Sequence, residues 1–227
     1  MRIAVLDIGG TSIKSGVWDG QALSELAEQD TCAWEGGAKL MERAAGILEG
    51  YAPFDAIGIS TAGQVDTEQG SIYYANDNIP GYTGMEVRRI LQERFQVPVT
   101  VENDVNAAAL GEGQFGAGQG TEDFLCLTYG TGVGGAIVAG GKVCTGSSWS
   151  AGSFGGIVIH PEEIDLNVEF SGCYEKCASA TALVKRASAV DPQLGSGRAV
   201  FAAFDRPEVR QVVDGWIGEI VYGLITL

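Results

Sequence analysis

The sequence predicts an α/β protein built as two similar lobes, each opening with a three-stranded meander. Three observations carry this prediction. Apolar runs of strand length alternate with helical patterns, so the first half reads three strands, helix, strand, helix, strand, helix. A strand–turn–strand pattern occurs twice, as LDIGGTSIKSGVWDG (6–20) and LTYGTGVGGAIVAGG (127–141). A polar, glycine-rich stretch, GAGQGTED (116–123), separates the two. The expected lobes are therefore residues 1–117 and 118–227.

The elements follow in order. RIAVLDIGG (2–10) is mostly apolar and reads as a buried strand. TSIKSGVWDG (11–20) is a second strand, with Asp19–Gly20 as a hairpin turn. QALSELAEQDT (21–31) is read as a third strand, although its alanines and leucines also suit a helix. Residues 37–50 place Leu40, Ala44, Ile47 and Leu48 on one helical face. FDAIGIS (54–60) is a buried strand, GMEVRRILQERF (84–95) an amphipathic helix, and VPVTVEN (97–103) another strand. DVNAAALGEGQF (104–115) is alanine-rich and helical, with Asn103 or Asp104 suited to its N-cap.

The second lobe repeats the opening in FLCLTYGTGVGGAIVAGGKVCTG (124–146), then passes through an irregular glycine-serine segment (145–156). Helices are expected at 174–190 and 196–204. PEVRQVVDGWIGEIVYGLITL (207–227) carries Val209, Val213, Trp216, Ile217, Ile220 and Leu224 at helical spacing. No Gly, Asn or Pro closes that helix, so the second lobe is expected to be incomplete, with a C-terminal piece lost.

Composition bounds the function. Hydrophobic residues make up 45% of the 227, enough for a buried core. The net charge is −15, which argues against nucleic acid and anionic membrane as partners. Any anionic ligand must be held by local groups against that field. The first apolar run is short and is interrupted by Asp7, unlike a signal peptide. No apolar stretch of about 18 residues suggests a membrane span. Five cysteines without secretory signals read as reduced thiols, so a cytoplasmic location is expected.

The turns carry the chemistry. Gly9, Gly10 and Thr11 make a tight turn that exposes backbone N–H groups and a hydroxyl, both suited to phosphate oxygens. Lys14 can add a point charge. Asp7, at the strand end, can hold a water-clad Mg²⁺. Thr131, Gly132 and Gly134 form the corresponding turn of the second lobe. One such turn alone reads as an ordinary hairpin. A matched pair, one with an acid and a lysine at fixed offsets, reads as a clamp for the phosphates of ATP in a cleft that closes against water. VENDVNAAALGE (101–112) adds Asn103 and Asp104 at a helix start. A carboxylate there can take a proton from a hydroxyl as its oxygen attacks a γ-phosphate. Asn103 can donate to and accept from sugar hydroxyls. Both residue types are also favoured N-caps, so capping alone would account for one of them.

Together these pieces resemble the ROK family (repressor, open reading frame, kinase), of the actin-like ATPase, or ribonuclease H-like, fold. DIGGTSIK (7–14) resembles the family's first phosphate motif and TYGTGVGGAIVAGGKVCTG (128–146) its second. STAGQVD (60–66), with Gly63, and NIPGY (78–82), with Asn78, resemble its sugar-side loops. ENDVNAAALGE (102–112) is similar to its catalytic segment, and GCYEKCASATAL (172–183) to the stretch ending its zinc and sugar module. The resemblance implies ATP-dependent phosphorylation of a hexose or amino sugar. Asp104 would be the base, and Asn103 and Glu175 would contact sugar. A homodimer is the family expectation.

The sequence departs from the family pattern at the sugar and zinc module. Ser153 and Gly156 in AGSFGG stand where the family has a sugar-binding Glu and a His. Ser153 can still hydrogen-bond a hydroxyl, more weakly than a carboxylate. Leu166 and Val168 replace two cysteines, leaving Cys173. Structural zinc takes four Cys or His ligands. His160, Cys173 and Cys177 offer three at most, so no zinc is expected. Two alternatives to a kinase stay open: a non-catalytic sugar or nucleotide binder, and a sugar-responsive regulator without its DNA-binding module.

Overall fold

The computed structural model describes residues 1–168 and 170–227, which group into two compact units. The first comprises Met1–Thr121 with Thr145–Ala151, the second Glu122–Cys144 with Gly152–Leu227.

The first unit opens with β1 (Ile3–Ile8), β2 (Ser12–Trp18) and β3 (Leu23–Asp30), an antiparallel meander. Helix α1 (Gly37–Tyr51) leads to β4 (Ala56–Thr61), which lies parallel to β1. A small hairpin, β5 (Gln64–Asp66) and β6 (Ser71–Tyr74), comes next. Helix α2 (Val87–Phe95), β7 (Val99–Asn103) parallel to β4, and α3 (Asp104–Phe115) complete the unit. The sheet order is β3-β2-β1-β4-β7. The sequence left β3 open between strand and helix. Every residue of it is exposed, so pairing with β2 rather than burial makes it a strand.

Alternation along the strands divides the sheet into two faces. Ala4, Leu6, Ile8, Ile57, Ile59, Val99 and Val101 are buried in one core with Leu40, Ala44 and Leu48 of α1 and Leu91 of α2. Asp7 falls out of this buried register. Trp18 on β2 meets Phe115 on α3, ring centres 5.5 Å apart.

The second unit has β8 (Phe124–Tyr129), β9 (Val133–Ala139) and the short β10 (Lys142–Val143), in the order β10-β9-β8. Four helices follow: α4 (Tyr174–Ala178), α5 (Ala180–Val190), α6 (Gly197–Ala202) and α7 (Pro207–Thr226). The single helix expected over 174–190 is thus two. Ser179 takes an extended ψ of 159° and its hydroxyl accepts from the Ala182 N–H, restarting the chain as α5. A serine that bonds to the backbone two or three residues on favours a cap over a helix interior. Leu183, Ala187, Val200, Val209 and Val213 form a core among α5, α6 and α7. The buried Tyr174 joins sheet to helices: its hydroxyl lies 2.6 Å from that of Tyr129 and donates to the Ile220 carbonyl at 2.8 Å. Among the described residues, no helix is long and apolar enough to cross a membrane.

Candidate functional site

In the first unit the parallel strands β1, β4 and β7 end side by side. Asp7 pairs with Ser60 and Ser60 with Glu102; one residue on, Ile8 pairs with Thr61 and Thr61 with Asn103. Polar groups collected at the carboxyl ends of parallel strands are where α/β sheets bind ligands. Ser60 Oγ donates to Asp7 Oδ1 at 2.9 Å, fixing that carboxylate. Lys14 stands opposite Asp7 on β2, with its side chain exposed. Asp7, Lys14 and Ser60 also line a groove of about 470 Å³ that Val5, Leu23, Leu26 and Ile59 make otherwise apolar.

The turn between β1 and β2 is Gly9–Gly10–Thr11. Its first N–H is spent inside the turn, with Gly9 N–H donating to the Ser12 carbonyl at 3.0 Å. The N–H groups available to an anion are therefore those of Gly10 and Thr11. A side chain at Gly10 would meet nothing within 4 Å, so this position is open. Thr31, fully buried after β3, holds the turn: its hydroxyl donates to Gly9 O at 2.7 Å and its N–H to Thr11 O at 2.9 Å.

Asp104 is the first residue of α3 and Asn103 its N-cap. Asn103 Oδ1 accepts from the Val105 and Asn106 N–H groups at 2.9 and 3.1 Å. Its Nδ2 donates to Asp104 Oδ1 at 2.8 Å and to Gly63 O at 2.9 Å. Val105 N–H also reaches Asp104 Oδ1, leaving Oδ2 without a donor among the described residues. Burial pushes the pKa of Asp104 up, and the charge of Asp7 pushes the same way. The N–H donors of Val105 and Asn103 offset part of this. A half-buried carboxylate with raised proton affinity is suited to take a proton.

Gly63 and Asn103, both expected on the sugar side, are joined by the bond from Asn103 Nδ2 to Gly63 O. Gly63 adopts φ 98°, and a side chain there would press on the Tyr74 carbonyl at 2.9 Å, so glycine is needed at this turn. Asn78 sits on an exposed turn, its N–H on Asn76 Oδ1 at 3.3 Å. Tyr82, from the same NIPGY segment, is buried with its hydroxyl 2.8 Å from Thr61 Oγ1. Burial pushes this phenol up to about 12. That hydroxyl pair anchors the 78–82 segment to the end of β4. Ser60, Thr61, Tyr82 and Glu102 are site-building residues that the sequence reading did not single out. The signal for Ser60, Thr61 and Glu102 was faint, polar residues at the last positions of apolar strands, and Tyr82 lies in the segment before α2.

In the second unit, the turn between β8 and β9 is Gly130–Thr131–Gly132. Gly130 N–H again closes the turn, here onto Gly132 O at 2.9 Å. Thr181 Oγ1 donates to Thr131 O at 2.8 Å, and Ala180 N–H to Gly130 O at 3.0 Å. Gly134 lies in β9 opposite Thr128, outside the turn. Glu175 reaches this turn: its Oε2 accepts from Val133 N–H at 3.2 Å, in space that a side chain at Gly132 would occupy. Ser153 is exposed and precedes a short 3₁₀ turn over Phe154–Gly156.

The positions of the family's zinc ligands do not fit that metal. Gly156 and Val168 offer no donor, Leu166 is 97% exposed, and Cys173 Sγ donates to Gly156 O at 3.3 Å. Among the described residues, the ligand-type atoms that do converge belong to His160, Cys177 and Glu219, all within 4.8 Å of one another. Cys173, which the sequence offered as a third ligand beside His160 and Cys177, is not in that group. His160 Nε2 bonds to Glu219 Oε2 at 2.6 Å and its Nδ1 lies 3.1 Å from Glu162, while Arg186 pairs with Glu219 Oε1 at 3.2 Å. Hydrogen bonds that the ring donates to the carboxylates of Glu219 and Glu162 push the histidine's pKa up, against burial.

The model of the ROK family matches residues 3–227. An uncharacterised protein of Clostridium perfringens is 42% identical over 96% of this chain and 76% of its own length. The glucokinase of Streptomyces coelicolor is 36% identical over 80% of this chain, and the match spans 57% of that enzyme's length. Among solved structures, a ROK family glucokinase from Streptomyces griseus, in complex with glucose and AMPPNP, is 30% identical with a TM-score of 0.84. That match covers 99% of this chain and 78% of the other. The fold is that of the actin-like ATPases as these kinases build it, and the chain belongs to the ROK family.

Proposed function

We propose that this protein phosphorylates a hydroxyl of a hexose or amino sugar with ATP, using Asp104 as general base. The observation that carries the reading is the Asp104 carboxylate itself. It is half-buried at the start of α3, held through Oδ1, raised in proton affinity and open at Oδ2. The proton of the sugar hydroxyl passes to Oδ2 as the sugar oxygen bonds to the γ-phosphorus and the bond to ADP breaks. The Gly10 and Thr11 N–H groups and Lys14 of the first unit hold phosphate oxygens, and the Gly132 N–H and Thr131 hydroxyl of the second unit are donors of the same kind. The fixed, half-buried carboxylate of Asp7 suits a hydrated Mg²⁺, which when bound would draw charge from the phosphates. On the sugar side, the Gly63 turn and Asn78 supply polar contacts, and Ser153 of the second unit offers a hydroxyl. The glucokinases among the relatives support this reading.

The test is a panel of hexoses and amino sugars with Mg-ATP, read by ADP release, on the full-length protein. At least one sugar is expected to give turnover that the Asp104→Asn variant loses by about 10²- to 10⁴-fold. Undiminished activity of that variant would remove Asp104 from the mechanism. A second reading, a non-catalytic sugar binder, is favoured by Ser153 and Gly156, where the family has Glu and His. Sugar binding without ADP release would establish it.

A further inference from the structure

We infer that Ser60 is a positioning residue for Asp7: its hydroxyl holds that carboxylate at the end of β1, apart from Lys14, so that the acid serves the metal of a Mg²⁺–nucleotide and the lysine its phosphates. The inference rests on the metal–nucleotide part of the kinase reading above.

Asp7, Ser60 and Glu102 are partners across the parallel strands β1, β4 and β7. Such neighbours lie about 4.8 Å apart with their side chains on one face of the sheet. One hydroxyl therefore stands between two carboxylates, and it has one proton to give. Glu102 already has donors from the start of α3: its Oε1 accepts from Asn103 N–H at 2.8 Å and from Asn106 Nδ2 at 3.0 Å. The Ser60 proton goes to Asp7 Oδ1, at 2.9 Å. Among the described residues this is the one hydrogen bond to the Asp7 carboxylate, and Oδ2 stays open.

On its other side Asp7 faces Lys14, its partner on the antiparallel β2. Opposed residues of such a pair have Cβ atoms about 4.5–5.5 Å apart, close enough for opposite charges to pair. No ion pair joins Asp7 to Lys14 among the described residues, and Lys14 is exposed. The bond to Ser60 draws the carboxylate toward β4 instead. Closed on each other, the two charges would be lost to a metal-bound triphosphate; held apart, each has its own partner there. The place of this carboxylate also matters to the base, because the charge of Asp7 acts on Asp104.

Nucleotide affinity tests this without turnover. Calorimetry on the full-length protein measures the Kd of a non-hydrolysable ATP analogue loaded with Mn²⁺. Ser60→Ala is expected to weaken binding of the loaded analogue by about 10-fold, as for groups that orient a metal's ligands. Ser60→Thr, which keeps the hydroxyl, should stay within about 2-fold of wild type. In the Asp7→Asn background Ser60→Ala should cost less than about 2-fold, because the carboxylate it holds is gone. Melting temperatures identify any variant that has lost its fold. Should Ser60→Ala be one, Ser60→Cys replaces it with the same expectation, a thiol being a weak donor. Unchanged affinity in Ser60→Ala, an equal loss in the Asp7→Asn background, or a folded Ser60→Thr as weak as Ser60→Ala would each overturn the inference while leaving the kinase intact. The expected pattern of affinities in a protein that releases no ADP with any sugar would uphold the role of Ser60 and overturn the kinase. A wild-type protein that binds no Mn²⁺-loaded analogue overturns both.

Discussion

The Gly9–Thr11 turn of the first unit and the Gly130–Gly132 turn of the second are built alike and surrounded differently. In each, the first glycine closes the turn with its own N–H, and a threonine far along the chain donates its hydroxyl to a turn carbonyl. The first turn borders parallel strands whose ends supply Ser60, Asn103 and Asp104. The second hangs on a three-stranded antiparallel sheet and is met by the start of α5 and the carboxylate of Glu175. Beyond the second turn, β9 is crowded at one glycine: Gly135 faces the Phe154 ring and the Gly152 carbonyl, whereas Gly10 in the first turn faces open space. The two hairpins thus use glycine for two physical ends, open space at Gly10 and close packing at Gly135.

Substitutions can break this contrast, and the largest effect is expected at Gly135. Its Ala variant would place a methyl 2.1 Å from Phe154 Cδ2 and 2.7 Å from a backbone oxygen, so the chain itself must shift. A loss of about 1–3 kcal/mol is expected in denaturant melts. Unchanged stability would mean the second hairpin is not packed as described. The two threonine ties come next. Thr31→Val buries an unanswered Gly9 carbonyl and should cost about 1–3 kcal/mol. Thr181→Val leaves Thr131 O where water can replace the hydroxyl, and about 0.5 kcal/mol is expected. Equal costs would erase the difference in burial on which the contrast rests.

Asp104 sharpens the comparison through pH. Its proton affinity is raised in the fold, so the native state disfavours the charged form. That penalty is absent below the ordinary carboxylate range and grows as pH rises through the raised value. Asp104→Asn should therefore melt higher than wild type at pH 7, with the gap closing toward about pH 4. A lower melting temperature for the variant at pH 7 would show the charge to be well solvated. The smallest structural effect belongs to Gly10→Ala, which meets no atom within 4 Å. Stability should hold within about 0.5 kcal/mol. If Gly10 leaves room for phosphate, KM for ATP should still rise, by about 10-fold for one hydrogen bond's worth of binding. A lowered melting temperature would place Gly10 with the packed glycines.

Much of this molecule follows from local rules. Alternating apolar residues in β1, β4 and β7 and the one-sided apolar face of α1 fix those elements, because burial and helical or pleated periodicity are properties of neighbouring residues. The cap at Asn103 and the glycine turns are local in the same way. Tertiary structure decided the rest. β3 has no buried face and is a strand because β2 pairs with it. Thr31 finds Gly9 across 22 residues, Thr181 finds Thr131 across 50, and Ser60 finds Asp7 across 53. No periodicity encodes such pairs. They exist because packed elements bring distant polar groups together where water is scarce, and there each buried carbonyl or carboxylate must meet a donor.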